Sequence, residues 1–208
     1  MDVQFYGANC IRIANKKASV VFDDNLVSLG QKAVLKKDDI AVYTGEHDAP
    51  TAELKLLVDY PGEYEVSEIM ITGIQARSHM DEEGKRSAVI YKILMDDIRV
   101  AVLGHVHPDL TDKQLEQLGV IDVLFVPVGG NGYTLDGVGA LKLIKKIEPK
   151  IIVPTHYEDT ELKYEVPQQP LADALSGLSM EVSETVDKFK LKQADIGETM
   201  RLIVLNKS

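Results

Sequence analysis

Apolar and polar residues alternate over short stretches through the first half of the chain. Runs at 3–6, 10–13, 19–23 and 40–43 are rich in β-branched residues and separated by Gly, Asn and Lys turns, which predicts strands. Further strands are predicted at 54–58, 63–66, 69–74, 88–95 and 99–103. Thr44-Gly45-Glu46-His47-Asp48-Ala49-Pro50 breaks the pattern: it is polar, ends in proline and reads as a loop. Beyond residue 110 the period changes. Thr111 caps a helical pattern carried by Leu115 and Leu118 and ended by Gly119. The nearly continuous apolar runs at 121–126 and 150–153 suit strands buried on both faces. Between them 136–147 predicts a helix with Leu141, Ile144 and Ile147 on one side. A helix at 171–178 and closing strands at 189–191 and 200–205 complete the prediction. Antiparallel hairpins followed by a β-α-β-α-β rhythm imply an α/β architecture with helices over the outer faces of its sheets.

Composition narrows the function classes. The 208 residues are 45% hydrophobic and 27% charged, enough for a packed core, and without repeats or linkers the reading is one domain over 1–208. With 23 basic against 33 acidic residues the net charge is −10. That balance argues against nucleic acid or an anionic membrane as partner, because both need clustered cations. Small molecules remain the expected ligands, and the hydrophobic strands offer an interface for a homo-oligomer. A single cysteine, Cys10, excludes an intramolecular disulfide and a cysteine-built zinc cage. With no apolar leader and no run long enough to span a bilayer, the expected location is the cytoplasm.

Four of the five histidines follow strands: His47 in the first polar loop, His79 after 69–74, His105 after 99–103 and His156 after 150–153. Loops at one set of strand ends gather ligand sites in open α/β sheets, and imidazole is a common ligand for Zn and Mn. His107, in His107-Pro108-Asp109, reads as an ordinary polar residue. No H-x-H, H-E-x-x-H or C-x-x-C spacing adds a metal motif, and no G-x-S-x-G supplies a serine nucleophile.

The wording of several segments resembles the metallo-β-lactamase superfamily, and within it the small bacterial hydrolases related to ascorbate-6-phosphate lactonase. The segments are Asn9-Cys10-Ile11-Arg12-Ile13, Val21-Phe22-Asp23, Pro61-Gly62-Glu63-Tyr64-Glu65-Val66, Ile121-Asp122-Val123-Leu124-Phe125-Val126-Pro127 and Pro149-Lys150-Ile151-Ile152-Val153-Pro154-Thr155-His156. The resemblance implies an αββα four-layer sandwich with a two-metal hydrolytic site between the sheets. Gly129-Gly130-Asn131-Gly132-Tyr133-Thr134 is similar to the family's G-G-x-Y-T turn with one extra residue, which points to Gly130 and Tyr133 as substrate-binding residues.

The chain departs from the family at the ligands. Where the family has T-H-x-H-x-D-H, only His47 stands at a ligand position; Gly45, Ala49 and Pro50 occupy the others. His79 and His156 match later ligands, whereas His105 replaces the bridging aspartate. Two readings follow. One is a divergent hydrolase of esters, lactones or phosphoesters that retains at most one Zn or Mn on His47, His79, His105 and His156. The other is an inactive member of the same fold acting as a binding or assembly module.

Overall fold

The computed structural model describes residues 1–208 and contains two β-sheets packed face to face. The first sheet takes five of its six strands from the N-terminal half: β1 (Asp2–Gly7), β2 (Cys10–Ala14), β3 (Ser19–Phe22), β4 (Ile40–Val42) and β5 (Leu56–Val58). The second begins with β6 (Gly62–Val66), β7 (Ile69–Ala76), β8 (Ala88–Met95) and β9 (Ile98–Val102). It continues through α1 (Asp112–Leu118), β10 (Val123–Pro127), α2 (Gly137–Ile147), β11 (Ile151–Thr155) and α3 (Leu171–Leu178). Three strands close the chain: β12 (Val182–Val186), β13 (Phe189–Lys190) and β14 (Arg201–Leu205). The orders are β13-β1-β2-β3-β4-β5 and β12-β14-β11-β10-β9-β8-β7-β6. Hairpins pair antiparallel, while β9, β10, β11 and β14 run parallel.

Two apolar layers hold this together. Val3, Phe5, Ile11, Ile13, Phe22 and Val42 from the first sheet meet Tyr91, Val100, Phe125 and Val153 from the second, all essentially without solvent contact. On the far side of the second sheet, Leu118 of α1, Leu143 and Ile144 of α2, and Ala174 and Leu178 of α3 cover Leu103, Leu124 and Ile152. The buried parallel strands and their helices are thus where the uninterrupted apolar runs placed them.

The layer over the first sheet differs from a helical one. Leu26, Leu29, Val34, Leu35, Leu162 and Tyr164 cover Cys10 and Val21 from irregular chain. The reason is local: Leu26 and Leu29 have helical spacing, yet Gly30 at φ +82° ends the turn after one pair of backbone bonds. Side chains then fasten the coil. Asp24 accepts from the N–H groups of Val34 and Leu35 at 2.7 and 2.8 Å. The buried Arg12–Asp39 pair, at 3.0 and 2.9 Å, anchors it beneath. β12 was not expected either, because its residues are nearly all exposed and carry no apolar period. No helix is long and apolar enough to cross a membrane.

One polar connection ties the parallel strands at their entry. The buried Asp122 carboxylate accepts from Arg99 N–H, Nε and Nη2 at 2.8, 2.8 and 2.7 Å. Asp122→Ala leaves the Arg99 N–H without its acceptor and should lower the urea-unfolding free energy by about 2 kcal/mol. An unchanged unfolding midpoint would show that solvent replaces the carboxylate.

Candidate functional site

The exits of β4, β7, β9, β10 and β11 carry every residue expected at the site. After β4, the Asp23 carboxylate accepts from both the N–H and Oγ1 of Thr44 at 2.7 Å and pins the loop that follows. Burial pushes the Asp23 carboxyl up to about 6, against the lowering effect of the Thr44 bonds and nearby His47. His47 stacks on Tyr43, ring centroids 3.7 Å apart and planes 11° apart. Its Nδ1 lies 2.8 Å from the Asp48 carbonyl and its Nε2 3.4 Å from Asp59 Oδ2. Both ring nitrogens therefore face partners of their own loop and of the β5 exit.

The β7 and β9 exits are joined by backbone. Ser78 and Val106 form an antiparallel bridge, and the His79 N–H donates to the His105 carbonyl at 2.7 Å. Gly104 lets the β9 exit lie against the β4 exit: at φ +59°, a Cβ there would stand 2.1 Å from Thr44 Oγ1. The His79 ring lies 5.8 Å from that of His107. Burial, then the neighbouring His107, lowers the His79 pKa.

His105 and His156 meet edge to face with centroids 4.4 Å apart, and Tyr133 lies 4.7 Å from His105 and 5.9 Å from His156. His156 adopts φ +53°, a left-handed conformation rare for a residue with a side chain. Its N–H donates to the Ala8 carbonyl at 2.8 Å, and Nδ1 sits 3.1 Å from Gln168 Oε1. With Nδ1 turned to that carbonyl-type oxygen, the ring's proton belongs on Nδ1 and Nε2 carries the lone pair. Burial pushes His105 down to about 4, and burial followed by His105 pushes His156 down to about 3, so both rings are neutral at pH 7. The buried Nδ1 atoms of His79 and His105 have no hydrogen-bond partner.

Gly130, at φ +67° and buried, turns the chain after β10 and accepts the N–H of Tyr133 at 3.1 Å. Its contribution is the backbone shape that delivers the Tyr133 ring to the two histidines. Gln168 and Tyr164 were not anticipated; Tyr164 packs 5.2 Å from His156. They come from a proline-flanked segment with no period or motif, so only the tertiary fold reveals them.

Of the four expected ligands, His105 and His156 are in ring contact, His79 adjoins His105 through the backbone and pairs with His107, and His47 turns to Tyr43 and Asp59. No three His, Cys, Asp or Glu side chains converge in an arrangement that could hold a metal ion. A pair of ions sharing a bridge requires a dense set of imidazoles and carboxylates. These residues do not fit that requirement.

Comparison with known proteins is consistent with this architecture. The family model described as a beta-lactamase superfamily domain matches residues 2–156. A metal-dependent hydrolase of Archaeoglobus fulgidus is 28% identical over 122 residues, 55% of this chain and 52% of that protein. Another, of Carboxydothermus hydrogenoformans, is 42% identical over 45 residues, 22% of this chain and 20% of its own. The matched stretches thus span between a fifth and about half of these relatives. Among solved structures, a Thermotoga maritima protein described as a Zn-dependent hydrolase of the metallo-β-lactamase superfamily superposes with TM-score 0.79 at 23% identity, covering 99% of this chain and 98% of that one. The metallo hydrolase Igni18 of Ignicoccus hospitalis superposes with TM-score 0.64 at 15% identity, covering 100% and 95%.

Proposed function

We propose, from the premise that this chain belongs to the β-lactamase superfamily, with the metallo-β-lactamase fold, that it is a divergent hydrolase with most of its dinuclear metal centre lost. Its substrates are esters, lactones or phosphoesters, and it holds at most one ion, zinc or manganese. The observation that carries the reading is the donor set at the strand exits. Glycine, alanine and proline at 45, 49 and 50 have no side-chain donor, and a neutral His105 cannot hold two cations together as a carboxylate does. The donors nearest one another are His105 and His156, in ring contact; with no third protein donor beside them, an ion there would need water or substrate oxygen at its remaining positions. An ion bound there would act as a Lewis acid toward a substrate oxygen.

The chain's own residues have definite roles in this reading. Tyr133 presents a phenol beside both imidazoles, and Gln168 fixes the tautomer and orientation of His156.

A second reading, an inactive binding or assembly module, draws support from His47. Both of its nitrogens are engaged by Asp48 and Asp59, so a residue at a ligand position serves the fold instead.

Elemental analysis of untagged protein, before and after soaking in zinc or manganese, separates these. At most one ion per chain is expected, and a His105→Ala/His156→Ala variant should lose it. Two ions per chain would overturn the proposal. No ion under any condition would leave the binding module as the reading to pursue.

A further inference from the structure

We infer that Asn131 is a site of spontaneous covalent modification: it cyclises with Gly132, opens to aspartate and isoaspartate, and so loosens the tip of the turn that carries Tyr133.

The turn is the one that holds the extra residue of the Gly129–Thr134 segment. It closes with the Tyr133 N–H donating to the Gly130 carbonyl at 3.1 Å, around Asn131 at φ +52° and Gly132 at φ +72°. Two successive left-handed residues are the mark of a type I′ turn, which Asn-Gly suits better than most pairs. Both residues are exposed, and the Gly132 N–H donates to no acceptor. A Cβ on Gly132 would meet nothing within 4 Å, so no packing opposes rotation of its peptide. Asn9, Asn15, Asn25 and Asn206 each precede a residue whose side chain crowds the approach of its nitrogen. Asp136-Gly137 has the same unhindered order of residues in the opposite setting. Gly137 is buried at the start of α2, where a Cβ would stand 2.3 Å from the Ala174 carbonyl oxygen. Asp136 Oδ1 is held as well, accepting the Gly139 N–H at 2.7 Å.

In the first step the Gly132 peptide nitrogen attacks Asn131 Cγ. The new N–Cγ bond replaces the Cγ–Nδ2 bond, and the side-chain nitrogen leaves as ammonia with the proton that the peptide gives up. Water then opens the cyclic imide, its hydroxyl going to one carbonyl carbon and its hydrogen to the ring nitrogen. Opening at one carbonyl gives aspartate; opening at the other gives isoaspartate, whose chain runs through the side-chain carbon. The consequence lies in what Asn131 holds. Its Nδ2 donates to the Pro167 carbonyl at 2.5 Å, next to Gln168, whose Oε1 faces His156 Nδ1. A carboxylate there has no proton to give, and two acceptors face each other instead. Gln169 keeps the base of the turn in place, because its N–H donates to the Gly129 carbonyl at 2.7 Å and its Nε2 to that of Val128. The change is therefore confined to the tip, where Tyr133 leaves the turn toward the two histidines.

The experiment holds the full chain at mildly alkaline pH, folded in buffer and unfolded in urea, and follows both samples by peptide mass mapping with fragmentation that separates aspartate from isoaspartate. Asn131 should convert in the folded protein before any other asparagine, and isoaspartate should be among its products. Aspartate as the sole product would mean direct hydrolysis without a ring and overturns the inference, as does an Asn131 amide that outlasts the others. Asp136 serves as the internal control, since it isomerises through the same ring. Folding should slow it more than it slows Asn131 by about tenfold or more, because one needs the start of α2 to open and the other only an exposed turn. Equal protection at the two positions would show that residue order alone decides, and overturns the structural argument. The loosening is read in an Asn131→Asp variant by hydrogen exchange. The Tyr133 amide should exchange faster relative to the Gln169 amide than in the parent, by about threefold or more, and an unchanged ratio overturns that step.

Discussion

Gly104→Ala should destabilise the protein by about 4 kcal/mol, as much as deleting a large core side chain. Two costs combine. The residue sits at φ +59°, where a Cβ meets its own backbone at roughly 1–2 kcal/mol. The new methyl would also lie 2.1 Å from Thr44 Oγ1 and 2.5 Å from Thr44 Cβ. Thr44 cannot step aside freely, because Asp23 holds its N–H and hydroxyl and its carbonyl accepts the Val89 N–H at 2.8 Å. Overpacking against so fixed a neighbour costs about 1–3 kcal/mol more. A double-mutant cycle isolates the contact: Thr44→Ala should cost less in the Gly104→Ala protein than in the parent. Additive losses would mean that the two loops move apart independently. The position matters because the next residue is His105, so a shift here displaces the ring that meets His156.

The same pair of loops shows what could be read from residue order and what could not. Continuous apolar runs place β10 and β11 correctly because strands buried on both faces must be apolar throughout. Thr111 and Gly119 mark the ends of α1 because caps are local, and the Thr111–Gln114 capping box forms as the sequence implies. Strand-exit histidines were legible as a group, since topology gathers strand ends. Their division was not. Whether His47 joins the others depends on the Tyr43 ring beneath it and on Asp59 from another strand, neither of which is implied by spacing. His107, read as an ordinary polar residue, stands opposite His79 for the same reason. Asp23 enters the resemblance only as the end of Val21-Phe22-Asp23, and its role is not legible there: its left-handed φ of 45° and its grip on Thr44 exist only once β3 and β4 lie side by side.

Acid should destabilise this protein well before its carboxylates are neutralised. His105 and His156 have folded pKa values of about 4 and about 3, against 6.5 for a free imidazole. Above pH 6.5 neither state is protonated and the pair contributes no pH dependence. Below it the unfolded chain takes up protons that the folded one refuses, so stability falls by roughly 1.4 kcal/mol per pH unit for each ring. Asp23 works the other way. Its folded pKa of about 6 lies above the ordinary 3.8, so between those values the folded state binds the extra proton and gains stability as pH falls. One carboxyl offsets one imidazole below pH 6, leaving a net loss of about 3 kcal/mol between pH 7 and pH 5. For a chain of this size that is a fall in Tm of about 6–12 °C. Thermal melts across that range check the sum, and a His156→Gln variant checks its origin, because removing one imidazole should leave the melting temperature nearly flat between pH 6 and pH 5. A parent protein whose Tm does not move over the same interval would mean that the two rings take up protons in the folded state, and so are hydrated as the closed pocket does not allow.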